Sequence, residues 1–201
     1  VARWSRDLLE EIAMLGLHRR PLMGDDWRSA EFLEQRMLDA VDAFCSLGAT
    51  ALGRLEAFVL EAPVKEPTRL YAATFVAGSL EGRDVLGMAE RLARDAAPSE
   101  ELVAAVTSAF KIAPHPLLGQ ALCALVEDGE PVLRSLAAEA LAHRDLANDG
   151  TVIEDAALLA LSEDRPEVAA HALMPLAVRA HPGAEDAITR ACHAKSLRLR
   201  E

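Results

Sequence analysis

Apolar and polar residues alternate with a helical period along most of the chain. In residues 7–15, the apolar positions 8, 9, 12 and 15 share one face of a helix. A break over 19–26 precedes a second predicted helix over about 29–47, whose apolar residues, beginning at Phe32, recur at spacings of three and four. No run of β-branched and aromatic residues alternates with polar ones, so we expect an all-α fold.

Prolines at regular positions divide the rest of the chain into predicted helices. The pattern predicts helices over about 50–61, 68–80, 84–95, 99–112, 116–128, 131–143, 152–162, 166–180 and 184–195. Thr68 and Ser99 are predicted N-caps, Pro131 suits a first helical position, and Thr151 with Glu154 forms a capping-box pattern. These signals predict paired helices joined by short turns.

The prolines between paired helices recur at nearly equal intervals. They fall at positions 67, 98, 131 and 166, which are 31, 33 and 35 residues apart. Residues 120–132 also align with 156–168, matching leucines, acidic residues and a valine. A period of one helical hairpin is typical of an α-solenoid, whose copies must stack to bury their apolar faces. We predict a helical cap over 1–48 and a single array of about four hairpins over 49–201.

The best copy, EDGEPVLRSLAAEAL at 127–141, resembles a HEAT-like repeat of the phycobilin-lyase type. Such repeats carry an Asp and Pro turn, a Val-x-Arg start to the second helix and an Ala-rich body. Residues 69–73 are a looser echo, and Val168 begins a copy without the arginine. The resemblance covers about 50–195 and implies the solenoid fold.

The front of the chain is similar to an uncharacterised bacterial HEAT-repeat family. The resemblance rests on residues 11–60, including FLEQRMLD at 32–39. Members often accompany type VI secretion genes and tend to be longer than this chain. The resemblance therefore implies an adaptor, chaperone or immunity protein, and it leaves open a short member or a fragment of a larger scaffold.

Composition and charge exclude several classes of partner. The chain is 51% hydrophobic with a net charge of −11, which argues against disorder and against binding to nucleic acid or an anionic membrane. No apolar run approaches the roughly 18–20 residues of a membrane span. The opening VARWSRDLLEE lacks the apolar segment of a signal peptide, and three distant cysteines suit a reducing compartment, so we expect a cytoplasmic protein.

Residues for catalysis or metal binding are not found in a recognisable pattern. None of the six histidines begins a His-Glu dipeptide, an HxxxH or an HExxH motif, so we predict no metal or other cofactor. Cys45, Cys123 and Cys192 lie in Ala/Leu-rich helical stretches, where we expect small buried thiols. No nucleophile or phosphate-binding motif occurs either, and we predict no enzymatic activity.

Acidic residues at the hairpin turns form the main candidate binding site. Residues 100–194 contain 15 acidic and 6 basic residues. Stacked repeats would align two acidic triplets into a ridge that attracts a basic protein, although acidic residues at solvated turns need no function. The triplets are Glu127, Asp128 and Glu130, then Glu163, Asp164 and Glu167.

The second helices of the hairpins offer a rival surface, since solenoids usually bind along their concave side. Arg69 and Arg134 are candidates there, and Arg134 is also suited to an ion pair with the next repeat. Trp4 and Trp27 can be exposed anchors, but we expect them to cap the end of the array.

Three hypotheses for function remain at this point. The first is a non-catalytic module that binds a protein, such as a basic toxin or a secretion component. The second is an enzyme on the same scaffold, either a bilin lyase or a metal hydroxylase. The third is a fragment whose repeats stack against missing ones. We favour the protein-binding module.

Overall fold

The computed structural model of the chain describes residues 2–19, 27–62, 64, 66–80, 83–96, 99–128, 130–146, 173, 176–178 and 181–193. The described residues contain α-helices and one short 3₁₀ turn, with no strand, so the prediction of an all-α fold is confirmed. The helices are α1 (Ala2–His18), α2 (Glu31–Ser46), α3 (Ala49–Leu52), α4 (Arg54–Leu60), α5 (Pro67–Ala77), α6 (Arg83–Ala96), α7 (Glu100–Ile112), α8 (Leu118–Asp128), α9 (Pro131–Leu146) and α10 (Pro182–His193). The 3₁₀ turn, Trp27–Ala30, leads into α2.

The described helix ends follow the predicted caps with one correction. Ser99 accepts a hydrogen bond from the backbone N–H of Leu102, and α9 begins at Pro131, as predicted. Thr68 is not an N-cap: α5 begins at Pro67, because proline needs no hydrogen-bond partner for its nitrogen at this position and holds Glu66 extended. The capping box at Thr151 lies outside the described residues.

The helix predicted over about 50–61 is divided in two. Gly53 separates α3 from α4. Glycine interrupts a helix readily because it has no side chain to restrict its backbone. Just before α3, Gly48 has a φ of 75°, a conformation in which other residues are strained, and this glycine allows the chain to turn sharply after α2.

The chain divides into two compact units, Val1–Pro116 and Leu117–Glu201. The first unit holds α1 to α7 and the second holds α8 to α10. The predicted boundary between 48 and 49 stays a prediction.

Helix α5 is the centre of the first unit. It packs against α1, α4, α6 and α7, and every residue from Leu70 to Ala77 is buried. The rings of Tyr71 and Phe75 lie parallel with their centroids 6.0 Å apart. A helix that is apolar on all sides requires neighbours on all sides, and α5 has them.

In the second unit, α8 packs against α9. The buried residues of this pair are mainly leucine and alanine, and Leu122, Leu133, Leu136, Ala137 and Leu141 are almost completely inaccessible to solvent. The small alanine side chains let the two helices approach closely. The second predicted copy of this hairpin, at 156–168, lies outside the described residues.

Candidate protein-binding face

The predicted acidic ridge is described only in part. Glu127 and Asp128 fall in the last turn of α8, and Glu130 is exposed between α8 and α9. The side chains of Glu127 and Asp128, and the whole triplet Glu163, Asp164 and Glu167, lie outside the described residues. The ridge therefore stays a prediction.

Arg134 is half-buried in the first turns of α9 and takes part in a polar interaction. Its backbone N–H donates to the carbonyl oxygen of Glu130 at 2.9 Å, which continues the helix back to the turn. A role for Arg134 in binding a partner stays a prediction.

Arg69, in α5, joins three helices of the first unit. One amino group donates to Glu10 of α1 at 2.6 Å, and the other donates to the carbonyl oxygen of Phe58 in α4 at 3.3 Å. The guanidinium also lies 4.8 Å from the centre of the Phe58 ring, within the range of a cation–π interaction. Only 13% of the Arg69 side chain is exposed, and a role in binding a partner stays a prediction.

Two ion pairs show how α1 and α2 lie against each other. Arg36 contacts Glu11 at 2.7 Å, and Arg19 contacts Glu34 at 2.6 Å. From the first pair to the second, the residue number rises from 11 to 19 at the α1 side but falls from 36 to 34 on α2. The two helices are therefore antiparallel. α1 packs against both α2 and α5, while other sides of α1 and α2 carry exposed residues.

Among the exposed apolar side chains of this hairpin, Met14 and Phe32 lie on either side of one ion pair in the helical spacing. Met14 comes three residues after Glu11, and Phe32 comes four residues before Arg36, so both flank the same ion pair. Met14 is 54% exposed and Phe32 is 70% exposed. We call Met14, Phe32, Glu11 and Arg36 the outer face.

Exposed carboxylates surround the outer face on α2. Glu31 adjoins Phe32 and Asp39 lies three residues beyond Arg36, and both are exposed. Gln35 donates to Asp39 at 2.9 Å, which holds that carboxylate against the helix. The result is an apolar centre with acidic neighbours.

The sequence pattern included Phe32 in the apolar series of the second helix, and the structure corrects this. The buried series is Met37, Ala40, Val41 and Phe44, which has helical spacing by itself. Phe32 precedes this series by more than one turn and projects from the first turn of α2. That separation is the signal in the sequence that could have identified the outer face.

Trp4 is 68% exposed, so the expectation that it caps the core is wrong. It occupies the solvent side of α1, whereas Leu9 and Ile12 supply the buried side. The side chain of Trp27 lies outside the described residues.

Cys45 is exposed near the end of α2, which contradicts the expectation of a buried thiol. The reason is that the buried series of α2 reaches Phe44, and the next residue turns away from the core. Partial desolvation and the negative charge of Asp42 raise the pKa of the thiol above its usual value. Cys123 is half-buried, and the side chain of Cys192 lies outside the described residues.

The described ranges lack the features of two other classes of site. There, no group of three His, Cys, Asp or Glu side chains is arranged to hold a metal ion. None of the helices in the same ranges combines the length and the hydropathy of a membrane span by itself, and the pair Glu31–Ser46 with Thr50–Leu60 does so only across a 116° bend.

Comparison with known proteins does not assign this chain to a family. No protein-family model, curated protein or solved structure matches this chain. The HEAT-like resemblance and the link to type VI secretion therefore stay predictions.

Proposed function

We propose that this chain is a non-catalytic protein-binding protein that contacts its partner through the outer face. The observation that carries the proposal is the exposure of Met14 and Phe32 beside the ion pair between Glu11 and Arg36. Aromatic residues and methionine are enriched at the centres of interfaces, where they fill pockets on the partner. The partner buries these two side chains from solvent.

The charge of the chain supports a basic partner. The net charge is −11, and Glu31 and Asp39 are exposed beside the outer face. Complementary charge raises the association rate and disfavours partners of the same sign. A partner with an apolar pocket ringed by lysine or arginine fits this surface.

The finer form of the proposal comes from the resemblance. A HEAT-like solenoid similar to a secretion-associated family acts as an adaptor, chaperone or immunity protein, and a basic toxin or secretion component is the proposed partner in the cytoplasm. Ordered packing of successive helices, such as α6 on α7 and α8 on α9, supports the repeat interpretation. In this form the acidic ridge is a second contact, which adds charge but little apolar area.

A capture experiment from lysate of the source organism tests the outer face. The bait is the whole chain, and proteins that co-elute at moderate salt are identified by mass spectrometry. The test variant combines Met14→Ser with Phe32→Ser, and the matched control is Leu60→Ser, which changes a side chain that is 67% exposed on α4. We expect one protein to be captured by the native chain and the control but lost from the double variant.

The salt dependence and the acidic ridge are tested with the same captured protein. Raising the salt should weaken its binding, since part of the attraction is between exposed charges. Replacing Glu127, Glu130, Glu163 and Glu167 by Gln, and Asp128 and Asp164 by Asn, should weaken it further if the ridge is a second contact. Equal capture by all variants would contradict both surfaces, and bound pigment or metal without a protein partner would favour an enzyme instead.

A further inference from the structure

A cleft of about 410 Å³ opens within the first unit. Its walls come from α1, α5 and α7, and from the start of α2 with the 3₁₀ turn before it. This volume falls in the range of about 300–1,000 Å³ that is typical of sites for small molecules. The outer face of the hairpin, proposed above for protein binding, is a different surface.

Small residues keep the cleft open. Ala13 on α1 and Ala105 on α7 line it, and larger side chains at these positions would project into the space. Gly16 has a different role: a Cβ at this position would collide with the ring of Tyr71. The missing side chain lets that ring lie against α1, where it forms part of the wall.

Several polar groups in the cleft have hydrogen-bonding atoms without a partner among the described residues. The Nε of Arg19 donates to Glu34 at 2.6 Å, while the two amino groups of Arg19 make no hydrogen bond within the described residues. The hydroxyl groups of Thr68 and Ser108 also line the cleft and make none within the same part of the chain. Among the described residues, these donors and acceptors thus lie without a partner beside an apolar wall.

The charges on these groups define the class of ligand. Arg19 and Glu34 together carry no net charge, so a carboxylate attracted by the guanidinium is repelled by Glu34. A carboxamide suits the pair better, because its carbonyl oxygen accepts from Arg19 while its N–H donates to Glu34. We propose that the cleft binds a small uncharged molecule with an apolar body and a carboxamide group.

Two probes of the same shape test the class of ligand. Hexanamide and hexanoate have the same chain length and differ at the head group. We expect hexanamide to shift the methyl resonances of Ala13 and Ala105 in NMR spectra of methyl-labelled protein, and hexanoate to bind about tenfold more weakly. Tighter binding of hexanoate would overturn the proposed class, and no shift with either probe would overturn the site.

Two variants connect the binding to these residues. Glu34→Gln removes the repulsion and leaves the charge of Arg19 uncompensated, so hexanoate should then bind at least as well as hexanamide. Ser108→Leu fills the cleft and should abolish the shifts, whereas Ala104→Leu changes an exposed residue of the same helix and should retain them. Thermal unfolding followed by circular dichroism confirms that each variant is folded. Shifts that persist in Ser108→Leu would place the probe elsewhere and overturn the proposal.

Discussion

Phe75 in α5 and Phe32 in α2 are the same type of residue in opposite surroundings. Phe75 is almost completely buried and its ring lies parallel to that of Tyr71, whereas Phe32 projects into solvent. Among the described residues, α5 packs against four helices, whereas α2 packs mainly against α1 and the short segments on either side of it. The comparison teaches that the number of packed helices around a segment decides whether an apolar residue stabilises the fold or remains available for a partner.

The largest expected effect separates these two phenylalanines directly. Phe75→Ala should lower the free energy of unfolding by about 3–5 kcal/mol, because it removes a buried ring and leaves a cavity. Phe32→Ala should change it by no more than about 0.5 kcal/mol, as is usual for an exposed side chain. Urea unfolding followed by circular dichroism measures both. A similar loss in the two variants would mean that Phe32 packs in the core.

Gly16 in α1 and Gly87 in α6 test how closely α1 packs against α5. Gly16→Ala should destabilise the protein by about 1–3 kcal/mol, because the added methyl group collides with the buried ring of Tyr71. Gly87→Ala is the matched control in α6, where the nearest atom to an added Cβ is a flexible arginine nitrogen at 3.8 Å. This control should stabilise the protein by about 0.5–1 kcal/mol, since alanine favours the helix. Opposite signs in urea unfolding are the expected outcome, and equal signs would contradict the close approach of Tyr71.

Two arginines extend the comparison to ion pairs. Arg69→Met should lower the free energy of unfolding by about 1–2 kcal/mol, since it removes hydrogen bonds to α1 and α4 from a largely buried site. Arg91→Met breaks a pair with Glu56 in which both side chains are exposed, and this change should cost no more than about 0.5 kcal/mol. The free energy of unfolding should also become less sensitive to salt in Arg91→Met than in the native chain. An equal decrease in the free energy of unfolding for both variants would show that the contacts of Arg69 with α1 and α4 do not stabilise the fold.

The smallest effect concerns Cys45, which should influence reactivity rather than stability. Its raised pKa leaves less thiolate at neutral pH than an ordinary exposed cysteine has. The rate of alkylation by iodoacetamide should therefore be low near neutral pH and should rise through an inflection above the usual pKa of a thiol. Cys123→Ser and Cys192→Ser isolate the signal, and Asp42→Asn should move the inflection to lower pH. An inflection below the usual value would contradict the effect of Asp42 and of burial.

The sequence predicted much of the fold for local reasons. Helical periodicity and proline positions located nearly every helix of the described residues, because these signals act within a few residues of each other. Ser99 was recognised as a cap for the same reason. Thr68 was not a cap, because the adjacent Pro67 provided a stronger start for the helix.

The candidate surfaces required information from distant residues. The gap between Phe32 and the buried series that begins at Met37 is a signal in the sequence, but the packing of α1 against α2 determines which side of that helix is covered. Arg69 likewise bonds to a residue 59 positions earlier, a contact that no local pattern encodes. The cleft depends on four segments of the chain meeting, so Gly16 could not be related to Tyr71 from the sequence.

The packing of α1 against α5 also has a consequence during synthesis of the chain. α1 emerges from the ribosome before α5, which begins about 50 residues later. Synthesis of those residues takes roughly 3–10 s at elongation rates of about 5–20 residues per second. During that interval, the side of α1 that contacts α5 has no native neighbour, although α2 can already pair with α1. The nascent chain is therefore expected to expose part of the buried side of α1 and to attract chaperones until α5 has been translated.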